Sequence, residues 1–387
     1  MKLGQKKESE ASRDAEREAG LALDIARRVS AAEGERWSAD RVMRDFNNAK
    51  TSGEKMIALG QLRDGRYDRR AAIDALTRAL KDKEVGVRVL AAELLFQWES
   101  SDGKDALLKI VADAQATPAA ELIHVVGAAE ILSNNKVAIP YDSLIVLYRE
   151  TRDAGVLRVM ATERDERYLP ILLERARTNP SGMVRLIGDL GAAGGYDVAK
   201  QVFERSRNPE VRVNAAWAMY RCGADEAALA FLVAQAQAGL DGKAGADFSA
   251  ADLAIQHLAL TPSASSRQVL EAAVQSKNGI TSSTALASLY FVQKDIAFAD
   301  RFIAGYLENV AVQAAQTGAS GTVPKPLPSV SYDLVWRIVR DRNDNRLTSL
   351  AVAANQGRSE SILGSAGGFP ARNAWLRGYL RIPPGDH

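Results

Sequence analysis

Cysteine is almost missing from this chain: Cys222 is the only one among 387 residues. One thiol excludes an intramolecular disulfide and any zinc site built on cysteines. Histidine is nearly as scarce, with only His124, His257 and His387. Neither His124 nor His257 has a second histidine or cysteine at metal-ligand spacing, so each is expected in a core or on a surface, not on a metal. No metal or other cofactor is implied. An excess of either charge is also lacking, because the formal net charge is +2. That balance argues against a dedicated nucleic-acid binder, which carries a clear basic surplus. No apolar run approaches the roughly 18 residues a membrane-spanning helix needs. The first ten residues show no apolar stretch after their lysines, so they do not read as a signal peptide. The expected location is the cytoplasm, although a cysteine-poor periplasmic or secreted chain would look the same.

Ordinary apolar content is present, together with charged residues at 25%. This is the make-up of a soluble, folded chain. Its pattern is clearest over residues 208–223, Asn-Pro-Glu-Val-Arg-Val-Asn-Ala-Ala-Trp-Ala-Met-Tyr-Arg-Cys-Gly. Asn208 suits the cap of a helix and Pro209 its first position. Val211, Ala215, Met219 and Cys222 then share one face by their spacing of three or four. Gly223 suits the end.

Similar helices recur in pairs. The spacing predicts helices near 70–80 and 85–98, 105–114 and 119–132, 141–149 and 156–161, 168–177 and 182–190. Further pairs fall near 196–206 and 208–223, 226–238 and 249–260, 267–275 and 281–292. Before these pairs, residues 9–32 read as a polar amphipathic helix. Ser38 and Ser52 suit the caps of two short helices that follow it. After them come a long helix at 295–312, a Gly/Pro-rich segment holding 324–328 (Pro-Lys-Pro-Leu-Pro), helices at 332–340 and 346–355, an irregular stretch at 364–370 and a last helix at 372–379. The expected organisation is an N-terminal helical arm and cap (1–66), a repeat array (67–312), a loop (313–330) and a C-terminal helical cap (331–387).

One register position supports the array. Arg88, Arg158, Arg185 and Arg212 each stand between two apolar residues, at gaps of 70, 27 and 27. The first gap holds one more unit, in which Val125 replaces the arginine. The repeat is therefore about 27 to 37 residues, the size of a stacked helix pair.

These units resemble HEAT-like repeats of the short, phycobilisome-lyase type. The matching residues are Asn208, Pro209, Val211, Arg212, Ala215, Ala216 and Met219, and, nearly as well, Asp82, Val87, Arg88, Ala91, Ala92 and Leu95. Asn179, Pro180, Val184 and Arg185 match only the first half, since Gly188 and Asp189 replace the alanines. The resemblance spans roughly 68–292. It implies an all-α, right-handed α-solenoid of antiparallel helix pairs, with the second helices lining a concave side. It also implies recognition rather than catalysis.

Catalytic spellings are weak. Ser52-Gly-Glu-Lys55 and Ser101-Asp-Gly-Lys104 read Ser-x-x-Lys, but both sit at helix starts, where serine serves as a cap, and their usual partner motifs are missing. Gly188, Gly191, Gly194 and Gly195 follow a helix rather than a strand, which excludes a dinucleotide fingerprint. The arginine column has two readings, a structural one on carbonyls or acids of a neighbouring unit and an electropositive stripe. Trp217 either packs between units or anchors a partner. The candidate partner-binding set is Arg88, Glu93, Gln97, Arg185, Arg212, Asn214, Trp217 and Arg221. The expected function is a non-enzymatic scaffold that binds a protein. The alternatives are a nucleic-acid binder resembling the HEAT-like alkyl-base DNA glycosylases, and a cofactor-attachment factor of the lyase-associated type.

Overall fold

The structure is a computed structural model that describes residues 38–63, 67–243, 245–316 and 329–356. The expected helices at 9–32 and 372–379, the segment 324–328, the stretch 364–370 and His387 lie outside the described residues. Among the described residues every regular element is helical and there is no strand. No described helix is long and apolar enough to cross a membrane.

The chain folds into two compact units, one from residues up to 132 together with 139–153, the other from 133–138 and 154 onward. The first holds α1 (Ala39–Asn48), α2 (Ser52–Gly60), α3 (Arg69–Ala79), α4 (Val85–Gln97), α5 (Ser101–Ala112), most of α6 (Leu122–Asn134) and α7 (Tyr141–Thr151). Its core at α2–α4 is formed by Leu59, Leu62, Leu76, Leu94 and Leu95, all without exposed surface. Helix α4 is apolar nearly all round, and Val85, Val87, Val89, Ala91 and Ala92 are buried with its leucines. That is the signature of a helix enclosed by neighbours. Helix α5 crosses it so closely that a Cβ on Gly103 would lie 2.4 Å from Phe96 N. The Lys55 ammonium reaches Asp82 at 2.6 Å and ties α2 to the turn before α4. Burial pushes the Asp82 carboxyl up, but Lys55, the Glu84 backbone N–H and the Lys83 charge together hold it below its ordinary value.

Two caps differ from the expectation. Helix α2 is capped by Thr51, not Ser52: its Oγ1 accepts from Glu54 N while Glu54 accepts from Thr51 N, a reciprocal capping box. Ser52 and Ser101 are the first residues inside their helices, and Ser38 and Ser100 stand at cap positions without a side-chain bond.

The second unit runs through α8 (Ala154–Glu163), α9 (Leu169–Ala176), α10 (Pro180–Leu190), α11 (Tyr196–Arg205), α12 (Pro209–Gly223), α13 (Glu226–Leu240), α14 (Phe248–Leu258), α15 (Ala264–Ala273) and α16 (Gly279–Ala287). It continues with α17 (Ile296–Gln316), α18 (Tyr332–Arg342) and α19 (Asn345–Gln356). Four of the second helices are started by a capping side chain. Asn179, Asn208, Asp247 and Asn278 each accept a backbone N–H of the first turn of α10, α12, α14 and α16. These second helices pack in sequence, α8 on α10, α10 on α12, α12 on α14 and α14 on α16, and α10, α12, α14 and α16 each also pack on the first helix of their own pair. One continuous core results, with Val184, Val213, Leu232, Leu258, Leu270, Leu286, Ile303 and Ile338 buried along it.

The expected helix at 281–292 is split. Helix α16 ends at Ala287 and the chain widens into a π turn over Ser288–Val292. Two buried hydroxyls of this segment bond backbone, Ser282 donating to Val274 O at 2.7 Å and Ser288 to Ala259 O at 2.6 Å, while Thr281 donates to the Asp252 carboxylate and Thr284 Oγ1 is buried without a partner.

Candidate functional site

The arginine column divides by neighbourhood. Arg88 donates through Nη1 to the carbonyls of Asp82 and Lys83, at 2.9 and 2.8 Å. It closes the turn that leads into its own helix α4, so the carbonyls it binds are not those of a neighbouring unit. Arg212 stands over two phenyl rings that pack edge-on against each other, 4.7 Å from the Phe203 centroid and 5.2 Å from that of Phe231. Its Nε is buried without a hydrogen-bond partner. Such a stacked guanidinium is held by the ring quadrupoles and by packing. Arg158 is exposed. Arg185 turns toward a carboxylate, with Nε 3.8 Å from Asp189 Oδ2. Equal register therefore does not give one stripe, because the groups within reach of each guanidinium differ.

In the first unit Glu93 accepts from Gln97 Nε2 at 3.1 Å on the same helix and faces Arg63 Nη2 at 3.4 Å. Their surroundings are a local i, i+4 pair and one exposed ion pair, weak individually. Arg88 takes no part in this pairing.

In the second unit α10, α12 and α14 bring four candidates together. Trp217 is 1% exposed, so its ring packs in the interior and is not a surface anchor. Gly188 admits it: a Cβ there would lie 2.7 Å from Trp217 Cδ1 and 2.9 Å from Ala218 Cα. The indole Nε1 donates to Asp189 Oδ1 at 3.2 Å. The His257 ring stacks on the indole at 4.8 Å and 11°, and the Arg221 guanidinium stands 5.4 Å from it. His257 is fully buried, and its Nε2 meets Asn214 Oδ1 at 2.9 Å while Nδ1 has no partner. Nε2 thus carries the proton and donates to Asn214. Burial, helped by the Arg185 charge, drives the imidazole pKa well below its ordinary value and keeps the ring neutral.

Asp189 is the centre of this arrangement. It is recessed, with about a quarter of its side chain exposed. Burial raises its carboxyl above the ordinary value, while Arg185, the Trp217 N–H, Arg221 and Arg164 pull the other way. Arg221 is half-buried, and its sole polar contact is Nε to Gly188 O at 3.5 Å. Among the described residues it forms no ion pair.

Asp189 and His257 were not candidates on sequence. The available signal was the departure from the repeat, since Gly188-Asp189 replaces the alanine pair and these two residues receive and bond Trp217. No grouping of three or more metal-ligating side chains occurs among the described residues. Cys222 is buried, donates weakly to Ile187 O, and has its thiol pushed up to about 11 by burial. With its ring covered on both sides, Trp217 offers no open face on which a nucleic-acid base would stack. Comparison with protein-family models, with curated proteins and with solved structures gave no match.

Proposed function

We propose that this chain is a HEAT-like α-solenoid scaffold without catalytic activity, and that it binds a protein partner on the concave side formed by its second helices. The observation that carries this reading is the row α8, α10, α12, α14 and α16, packed each on the next. Stacked pairs of this kind offer a long surface without a deep pocket. On that row Arg185, Asp189, Asn214 and Arg221 are polar and partly exposed, whereas the helix interiors beneath are closed by alanine, valine and leucine. Rigid elements carrying a few fixed polar groups suit recognition of another folded or extended chain.

The test is affinity capture from the native extract with the full chain and with an Arg185→Glu/Arg221→Glu variant of unchanged melting temperature. A protein retained by the parent and lost by the variant, then reproduced with purified components, is the expected result. Equal recovery by both, or recovery of nucleic acid in place of protein, overturns the reading.

A further inference from the structure

We infer that Arg221, at the Asp189 recess, binds a carboxylate group of an acidic peptide segment. The inference rests on the scaffold reading above and adds the chemistry of the partner. Its starting point is a cost left open in the fold. A guanidinium carries five N–H donors and stays charged at any physiological pH. That of Arg221 is half-buried against the Trp217 ring, yet its one polar contact is a marginal 3.5 Å approach to the Gly188 carbonyl. Taking a charge partly out of water is unfavourable unless an opposite charge or good hydrogen bonds replace the water. The C-terminal end of α10 supplies only a partial negative charge, about half a unit.

Asp189 does not fill that role. Its Oδ1 is occupied by Trp217 Nε1 and its Oδ2 faces Arg185. Arg185, Arg221 and Arg164 all act on this one carboxylate. The recess remains accessible, as the Arg185 side chain is 38% and the Asp189 side chain 26% exposed. The guanidinium is also pre-positioned. Gly191, at φ +74°, leaves room for it, since a Cβ there would lie 3.0 Å from Arg221 Nη2. A planar, fixed guanidinium with free edges matches a carboxylate in the two-pronged geometry that arginine forms with such groups. The Arg185 field adds to the attraction across the partly dry recess.

Fluorescence anisotropy of a labelled oligoglutamate peptide tests this, with labelled oligolysine, inorganic phosphate as competitor and a labelled single-stranded oligonucleotide as the other arms. The full chain is compared with Arg221→Gln, Arg221→Lys and Arg207→Gln, each first shown to melt with the parent. Arg207 is an exposed arginine on the turn before α12, about 20 Å from Arg221 at 1.5 Å rise per helical residue. The expected result is binding of oligoglutamate but not oligolysine. Arg221→Gln weakens it roughly tenfold or more, Arg221→Lys weakens it in part, and Arg207→Gln leaves it unchanged. Equal losses in Arg207→Gln and Arg221→Gln would mean general charge attraction and overturn the site while leaving the scaffold reading standing. Tighter, Arg221-dependent binding of the oligonucleotide would keep an anion site but overturn both the acidic-peptide assignment and the protein-scaffold reading, whereas displacement of oligoglutamate by phosphate at equal anion concentration would overturn the acidic-peptide assignment alone. No binding of any probe overturns the inference.

Discussion

Trp217 Nε1 and Asp189 Oδ1 are joined at 3.2 Å across the contact between α12 and α10. This bond satisfies the only polar atom of a buried indole and fixes a carboxylate inside a recess that Arg185 also reaches. It is possible because the residue beside Asp189 is Gly188, which has no side chain to keep the indole away. The stability of the second unit and the geometry of its candidate site therefore depend on the same few atoms.

Gly188→Ala places a methyl where Trp217 Cδ1 and Ala218 Cα already stand. Part of that crowding is against backbone, which cannot turn aside. The variant is expected to lose about 1–3 kcal/mol by denaturant titration. Gly60→Ala, where nothing lies within 4 Å of the added Cβ, serves as the control and should not lose stability by clash. A Gly188→Ala variant as stable as the parent would mean that α10 and α12 separate more easily than their packing implies.

His257 titrates below its ordinary value of 6.5, first because it is buried and then because Arg185 is near. A lowered histidine pKa means the unfolded chain binds the proton that the folded chain refuses. Stability is therefore full above pH 6.5 and falls as pH drops below it. His257→Phe keeps an aromatic ring on Trp217 and removes the titration. The parent should lose stability relative to this variant with a limiting slope of about 1.4 kcal/mol per pH unit below 6.5. Parallel stability curves for the two proteins would show that the imidazole is not excluded from water.

Thr51→Ala deletes the side-chain oxygen that caps α2 by accepting from Glu54 N. A loss of about 1 kcal/mol is expected. Ser52→Ala, one residue along, should change stability by only a few tenths, about 0.5 kcal/mol at most. Reversal of that order in thermal melts would return the capping role to Ser52.

Cys222 is the only thiol, so alkylation reads one position without ambiguity. Its thiol is pushed up to about 11 by burial, and it faces from α12 onto Ile187 O of α10. At pH 8 roughly one part in a thousand is thiolate. Iodoacetamide labelling followed by mass spectrometry should be slow in buffer and rapid in denaturant. Fast labelling of the native chain would show that the α10–α12 contact opens readily.

Most of the helices were legible because their apolar spacing and their starts are local properties. Asn208 and Pro209 open α12 in the structure as the cap and first-turn preferences require, and the Asn179–Pro180 start of α10 follows the same rule. The cap at Thr51 was misread because Thr and Ser stand side by side, and only the bond between Thr51 and Glu54 decides which one is outside the helix. The arginine register was legible too, but its use was not. Arg88 finds two carbonyls, Arg212 two phenyl rings and Arg185 a carboxylate, and what lies within a few ångströms of a long side chain depends on neighbouring helices.

Sequence by itself determined that the described residues are helical, where their helices begin and end within a few residues, and that no intramolecular disulfide can form. These follow from backbone preference, apolar period and the count of cysteines. Only the tertiary structure decided that the chain divides into two units, that Trp217 lies inside, and that Asp189, Asn214, Arg221 and His257 meet around it. Those residues come from three helices and as many as 68 positions apart. Their meeting is set by how closely α10, α12 and α14 approach, which depends on the absence of a side chain at Gly188 and on no property of any single helix.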